Sequence, residues 1–221
     1  MTEHPADYTN VKDRLEAHRK AVEVAQQLLD TAESPQTTLA EKEYYIGLAL
    51  YQLEEYPIAS EHLLASFRLQ EQAETAARLS VCHWRMKELD AAKKWINRAL
   101  MLDPKGSIET LIAKTRPSFY GILAELHLSA GEIEAAAVAA RGALAQDPND
   151  ITALHVLAST HLVSGDASAA MAMYDQAVKV APPFIQKRLV GEQQIARKLL
   201  DANVRLAPFV TEAASIARVV I

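Results

Sequence analysis

The sequence predicts an all-α solenoid of stacked helix pairs, and three observations carry that prediction. Small residues recur in register. Ala59, Ala92, Ala136 and Ala170 are separated by 33, 44 and 34 residues. Gly47, Ser80, Ala124 and Ala158 repeat the same three intervals, as do Ser66, Ala99, Ala143 and Ala177. A fourth column, Ile46, Leu79, Leu123 and Leu157, is apolar throughout. Composition agrees: half of the 221 residues are hydrophobic and only 7 Gly and 9 Pro punctuate them. The abundant alanine, leucine and glutamate lose little conformational freedom on entering a helix. Antiparallel helices that cross closely need small side chains at the crossing and larger apolar ones beside it, which is the pattern of these columns.

From the N-terminus, residues 8–32 read as one helix, with Val11, Leu15, Val22, Ala25 and Leu29 at helical spacing. Thr38 followed by Glu41 has the spacing of a capping box and opens the first pair. Each pair reads as two amphipathic helices of about 14 residues joined by a tight turn. The turn is Glu54-Glu55-Tyr56-Pro57 in the first unit, Ala130-Gly131-Glu132 in the third and Ser164-Gly165-Asp166 in the fourth. Glycine there supplies the left-handed conformation that ends a helix, Asp166 can cap the next helix, and proline is tolerated in a first helical turn. Asp103-Pro104, Asp147-Pro148 and Ala181-Pro182 close units two to four, because proline cannot continue a helix. The first unit departs and closes with Gln70-Glu71. The 44-residue interval marks an insertion of ten residues around Ser107–Arg116. It reads either as a helix extension with Ile108, Leu111 and Ile112 on one face, broken at Pro117, or as an ordinary longer connection. Residues 184–204 and 209–220 read as two more helices split by Pro208, placed to cover the array's last apolar face. The expected organisation is an N-terminal helix (1–37) packing on an array (38–183), followed by C-terminal capping helices (184–221). Within the array the units are about 40–72, 73–106, 117–150 and 151–184, with the insertion at 107–116.

The unit has an apolar residue before Gly or Ala (Ile46-Gly47, Leu123-Ala124, Leu157-Ala158), a mid-unit alanine, a later alanine and a closing proline. It resembles the tetratricopeptide repeat, and the resemblance covers roughly three-fifths of the chain. The resemblance implies a right-handed superhelical α–α solenoid of about four helix pairs, in which the first helix of each pair lines a concave face where partners lie. That face would be built from Tyr44, Leu48, Tyr51 and Gln52 in unit one and Ala77, Val81, Trp84 and Arg85 in unit two. Unit three would offer Glu125 and Leu128, and unit four His155, Ser159 and Leu162. Aromatic anchors beside an arginine have the composition of binding hot spots. The expected function is a protein–protein interaction module, adaptor or chaperone-like, that holds an apolar peptide segment of another protein in this groove. An N-terminal helix before a short apolar-grooved array is similar in architecture to chaperones that hold bacterial secretion substrates. Two alternatives stay open. The chain's own terminal helices can fill the groove, or the array can be a structural subunit of a homo-oligomer or larger complex. Such an assembly would join through an apolar C-terminal segment holding Phe184, Leu189, Ile195, Leu199, Val210, Ile216 and Val219–Ile221. Relatives that grip acidic tails of heat-shock chaperones carry lysines and asparagines along this face. The matching places here hold Tyr44, Leu48, Arg78, Ser118 and Ile122, of which only Arg78 is basic, so that specialisation is not expected.

Other functional classes find little support. The formal charge is −5, with 23 basic against 28 acidic residues, and no Lys/Arg cluster is longer than Lys93-Lys94 or Lys187-Arg188. Gripping nucleic acid needs a basic stripe that displaces counterions, so nucleic acid is not expected as a partner. No apolar run approaches the roughly 20 residues that span a bilayer, and the first residues lack an apolar signal core. With a single cysteine, Cys82, no internal disulfide forms, and a reducing, cytoplasmic setting is expected. Phosphate-loop, nucleophile-elbow and zinc-protease motifs are absent, so no enzyme and no cofactor are expected. Cys82 and His83 are adjacent and therefore point about 100° apart on a helix, which rules them out as a nucleophile–base pair. His83, His127 and His161 occupy equivalent places in units two, three and four. Stacked helices lie about 8–10 Å apart, too far for three such histidines to share one ion, so no metal site is expected.

Overall fold

A computed structural model of the protein describes residues 8–111 and 115–201, and the chain divides between Glu71 and Gln72 into two units. The division falls where the first repeat lacks its closing proline. The architecture is that of an all-α tetratricopeptide solenoid, with consecutive helices packed in pairs.

The first unit holds α1 (Tyr8–Ala32), α2 (Leu39–Gln52) and α3 (Tyr56–Leu69), with α1 packed on α2 and α2 on α3. Thr38 and Glu41 form the capping box in full. The Glu41 amide donates to Thr38 Oγ1 at 3.3 Å and the Thr38 amide donates to Glu41 Oε2 at 2.9 Å. That backbone bond, joined by one from the Thr38 hydroxyl, holds the Glu41 carboxyl below its ordinary pKa. Gly47 sits where α2 crosses α3. A Cβ there would lie 2.8 Å from Leu63 Cγ and 3.2 Å from the Ala59 carbonyl oxygen, closer than packed atoms approach. The buried stripe of α1 is Ala21, Ala25 and Ala32, whereas Val22 is 45% exposed. Of the expected face Ala25 is buried and Leu29 half-buried, while Ala21 takes the inward place expected for Val22. Val11 and Leu15 lie outside the residues whose side chains are described.

The second unit continues with α4 (Ala73–Arg85), α5 (Leu89–Leu102), α6 (Phe119–Ser129), α7 (Ile133–Gln146), α8 (Ile151–Val163), α9 (Ala167–Val180) and α10 (Pro183–Asp201). Pairs α4/α5, α6/α7 and α8/α9 stack in order through α5 on α6 and α7 on α8, and α10 packs on α9. The alanine columns are fully buried here: Ala92, Ala136, Ala170, Ala99, Ala143 and Ala177 are all at 0% exposure. Ser80, in the small-residue column, is also buried, and its hydroxyl is satisfied by the Ala92 carbonyl at 2.8 Å. Ile185, Leu189 and Ala196 of α10 join Leu154, Ala158, Met171 and Tyr174 in one apolar cluster. Leu189 is therefore core, while Ile195 is 54% exposed. The segment 209–220, expected to be a further helix, lies outside the described residues.

The turns inside the pairs share one geometry. Glu54, Lys87, Gly131 and Gly165 occupy the same place in successive units, with φ of 63°, 67°, 76° and 79°. The amide of the next residue reaches back to the carbonyl five residues earlier: Glu55 to Leu50, Glu88 to His83, Glu132 to His127 and Asp166 to His161. This is the capping bond of a helix that ends in a left-handed residue. Glycine marks only two of the four turns in the sequence. The other two force a side chain into a conformation costing roughly 1–2 kcal/mol.

The described part of the insertion is not helical. Residues 106–111 and 115–118 run antiparallel, with a bridge between Ser107 and Ser118. The Ile108 amide donates to the Pro117 carbonyl at 3.2 Å, Thr110 to Thr115 at 2.9 Å and Phe119 to Gly106 at 2.9 Å. Two β-branched threonines, hydroxyl to hydroxyl at 2.7 Å, favour extended pairing in a stretch whose apolar spacings of three and four residues also fit a helix.

Candidate protein-binding face

In the first unit α2 carries Tyr44, Leu48, Tyr51 and Gln52 on one side, because these positions recur at three- and four-residue steps. Tyr44, Tyr51 and Gln52 are half-buried, and Leu48 is buried. The Tyr44 ring meets Tyr45 edge-on with centroids 5.7 Å apart, and Tyr51 leans on Tyr56 of α3 at 5.4 Å. Such contacts hold aromatic rings in place before anything binds.

The second unit is more closed. Ala77, Val81 and Trp84 of α4 are buried, and Arg85 is half-buried. Arg78, also on α4, is 7% exposed. Its Nη2 donates to the main-chain carbonyl of Glu109 at 2.7 Å and to Glu74 Oε1 at 3.0 Å. The inserted segment is thus anchored on α4.

Further along, Glu125 and Leu128 of α6 and His155 and Ser159 of α8 are buried, while Leu162 is half-buried. His155 Nδ1 lies 3.3 Å from Glu125 Oε1, and its Nε2 lies 2.9 Å from Glu192 Oε2 of α10. Arg188 Nε stands 3.4 Å from Glu192 Oε1, and the Tyr174 ring lies 6.4 Å from the imidazole. Burial alone would push His155 down. Hydrogen bonds and charge from Glu125 and Glu192 outweigh it and hold the imidazole up at about 9, so it is a cation at neutral pH. Burial would raise Glu192, but bonding to His155 and the charges of His155 and Arg188 bring it below its ordinary value. Glu125, His155, Arg188 and Glu192 thus meet in one largely buried cluster.

The structure brings together within α2 the residues expected there. It withdraws Leu48, Ala77, Val81, Trp84, Glu125, Leu128, His155 and Ser159 from solvent, leaving Tyr44, Tyr51, Gln52, Arg85 and Leu162 partly accessible. The chain's own insertion supplies a partner to Arg78, and α10 supplies one to His155. Glu192 escaped the sequence reading, although it follows Ser159 at a repeat interval of 33.

Two members of the histidine column, His83 and His127, bond to the turns. His83 Nδ1 lies 2.6 Å from Glu88 and His127 Nδ1 lies 2.5 Å from Glu132. Lys93 joins Glu132 at 2.8 Å, a contact that, with His127, lowers the Glu132 carboxyl pKa. Among the described residues no three histidine, cysteine or acidic side chains converge as metal ligands. Cys82 is fully buried and its thiol is pushed up to about 12 by that burial. A thiol in such surroundings is inert. Among the described residues no helix is long and apolar enough to cross a membrane.

Comparison with known proteins agrees with this geometry. Tetratricopeptide repeat models match residues 73–105 and 123–188. No curated protein sequence matches. Among solved structures, YrrB, described as a tetratricopeptide repeat protein with an unusual peptide-binding site, is similar at 15% identity. Its TM-score is 0.54 over 85% of this chain and 89% of that one. TTC0263, a thermophilic repeat protein of Thermus thermophilus, is 17% identical, with TM-score 0.60 over 82% of this chain and 100% of that one. MamA from Desulfovibrio magneticus RS-1 is 18% identical, with TM-score 0.56 over 78% and 92%. At these identities the likenesses speak for the fold. With the repeat columns, the paired helices and the matching repeat models in agreement, the chain belongs to the tetratricopeptide repeat family.

Proposed function

We propose that this protein is a non-catalytic adaptor or chaperone-like module that holds an apolar peptide segment of another protein. The first unit's α2 face supplies the primary contact. The observation that carries this reading is the set of half-buried, ring-braced tyrosines on α2, Tyr44 and Tyr51, beside Gln52. Rings already fixed by neighbours lose little entropy on binding and offer both apolar area and a hydroxyl. The repeat fold supports protein partners in general, and YrrB is a structural neighbour with a peptide-binding site. Arg85 and Leu162, half-buried in the second unit, are the residues there that a partner can reach without rearrangement. A cytoplasmic setting belongs to the same proposal.

The test is panning of a displayed random-peptide library on the immobilised full-length protein, wild type against Tyr51→Glu. Wild type is expected to enrich apolar-rich sequences, and the variant to lose them while keeping its helical circular dichroism. Equal enrichment by both folded proteins would remove α2 from the binding site.

A further inference from the structure

Two successive seams between helix pairs carry different side chains at equivalent places. At the seam of α5 and α6 one carboxylate, Glu132, joins His127 of α6 to Lys93 of α5, at 2.5 and 2.8 Å. One repeat on, His127 becomes His161, Lys93 becomes Ala137 and Glu132 becomes Asp166, at intervals of 34, 44 and 34 residues. Asp166 is a methylene shorter and spends its carboxylate on the cap of α9, accepting from the Ala169 amide at 2.9 Å. Glu132 makes no such bond to the start of α7. Among the described residues His161 is therefore left without the carboxylate that His83 and His127 both have. Between α7 and α8 lies a cavity of about 270 Å³, with Ile133, Ala137, Val138 and Leu157 as its apolar lining. Its polar lining selects the kind of group that fits. The Thr160 and Ser164 hydroxyls donate to the Leu157 and Thr160 carbonyls at 2.9 and 3.0 Å, so their protons are already used. Glu134, the one acid in the lining, is exposed. Arg141 is exposed too, and among the described residues no carboxylate pairs with it. Arg141 and His161 thus remain as donors without an acceptor, and a carboxylate is the acceptor that such donors hold best.

We propose that the cavity between α7 and α8 is a binding site for a glutamate side chain of a partner protein, its methylenes against Ala137 and Val138 and its carboxylate on His161 and Arg141. The preceding seam is the internal template, because there the chain's own Glu132 supplies the carboxylate to the equivalent histidine. The site shares no residue with the α2 face and does not rest on that reading.

The probe is N-acetylglutamate amide, a glutamate side chain with uncharged ends, titrated into isotope-labelled full-length protein and followed by amide chemical shifts in NMR spectra. N-acetylglutamine amide, the same shape without the charge, is the control. Saturable shifts are expected within residues 133–141 and 157–164 for the glutamate compound. The glutamine compound should bind at least about fivefold more weakly, the equivalent of one charge-assisted bond. Arg141→Ala and His161→Ala should each weaken the glutamate compound by about fivefold or more while keeping the helical circular dichroism. Ala137→Leu fills the cavity, leaves both donors in place and should abolish binding. Absence of saturable shifts at these residues overturns the proposal, as do equal binding of the two compounds and binding that survives Ala137→Leu in a folded protein. Should Ala137→Leu fail to fold, the exposed Arg141→Ala decides: unchanged binding there overturns the site, and weakened binding supports it.

Discussion

Asp150 caps α8 with one carboxylate oxygen and ties down the start of α6 with the other. Its Oδ1 accepts from the Ala153 amide at 3.0 Å. Its Oδ2 accepts from the Ser118 hydroxyl at 2.6 Å and the Ser118 amide at 3.2 Å, and Ser118 Oγ in turn accepts from the Gly121 amide at 3.0 Å. The group is 4% exposed, so truncation leaves buried donors unsatisfied. Asp150→Ala should lower stability by about 2–4 kcal/mol, the sum expected for a lost cap and lost charge-assisted bonds. Thermal melts followed by circular dichroism check this, and a loss within about 0.5 kcal/mol, the scatter of ordinary surface substitutions, would contradict it. At this scale the sequence was legible in part. The Thr38–Glu41 box and the Asp166 cap lie within three residues of their partners, and both were readable. The Ser118–Asp150 bond spans 32 residues and depends on how two helices stack.

Helix α10 is held on the array by apolar contacts and by the charged cluster around His155. The groups that face His155 are Glu125 on α6, Tyr174 on α9 and both Arg188 and Glu192 on α10. The imidazole's folded pKa of about 9 lies above its ordinary value of 6.5, so its stabilisation is complete below 6.5 and is lost as pH rises through 9. Glu192 has the opposite sign: lowered in the folded state, it stabilises above 4.5 and loses that contribution as pH falls. The cluster is therefore strongest between about pH 4.5 and 6.5, and its alkaline limb is worth on the order of 3 kcal/mol. Wild type should melt progressively lower from pH 7 to about 9.5, a window set by that shift, and His155→Gln should flatten the slope. Parallel slopes in the two proteins would show that His155 is not the group that titrates. Element positions were well signalled by repeat spacing, yet the insertion was not, because a ten-residue stretch with three aliphatics satisfies helix and strand periodicities alike.

A repeat protein is quasi-one-dimensional, each unit stabilised chiefly by its neighbours. Adding a methyl at Gly47 must displace Leu63 or the Ala59 carbonyl, so Gly47→Ala is expected to cost about 1–3 kcal/mol. Hydrogen exchange should then quicken in α2 and α3 while α8 and α9 keep wild-type protection. Uniform quickening along the chain would mean the protein opens as one cooperative body. The sequence by itself determined the helix pairs, their crossing residues and the family, because alanines at crossings and left-handed turns are local demands repeated four times over. Only the tertiary structure decided which inner-face residues stay open. Arg78 and His155 sit on inner-face helices by register, but the Glu109 carbonyl and the Glu192 of α10 arrive from distant parts of the chain. Burial is a property of what comes to lie on a surface, and periodicity describes only the surface itself.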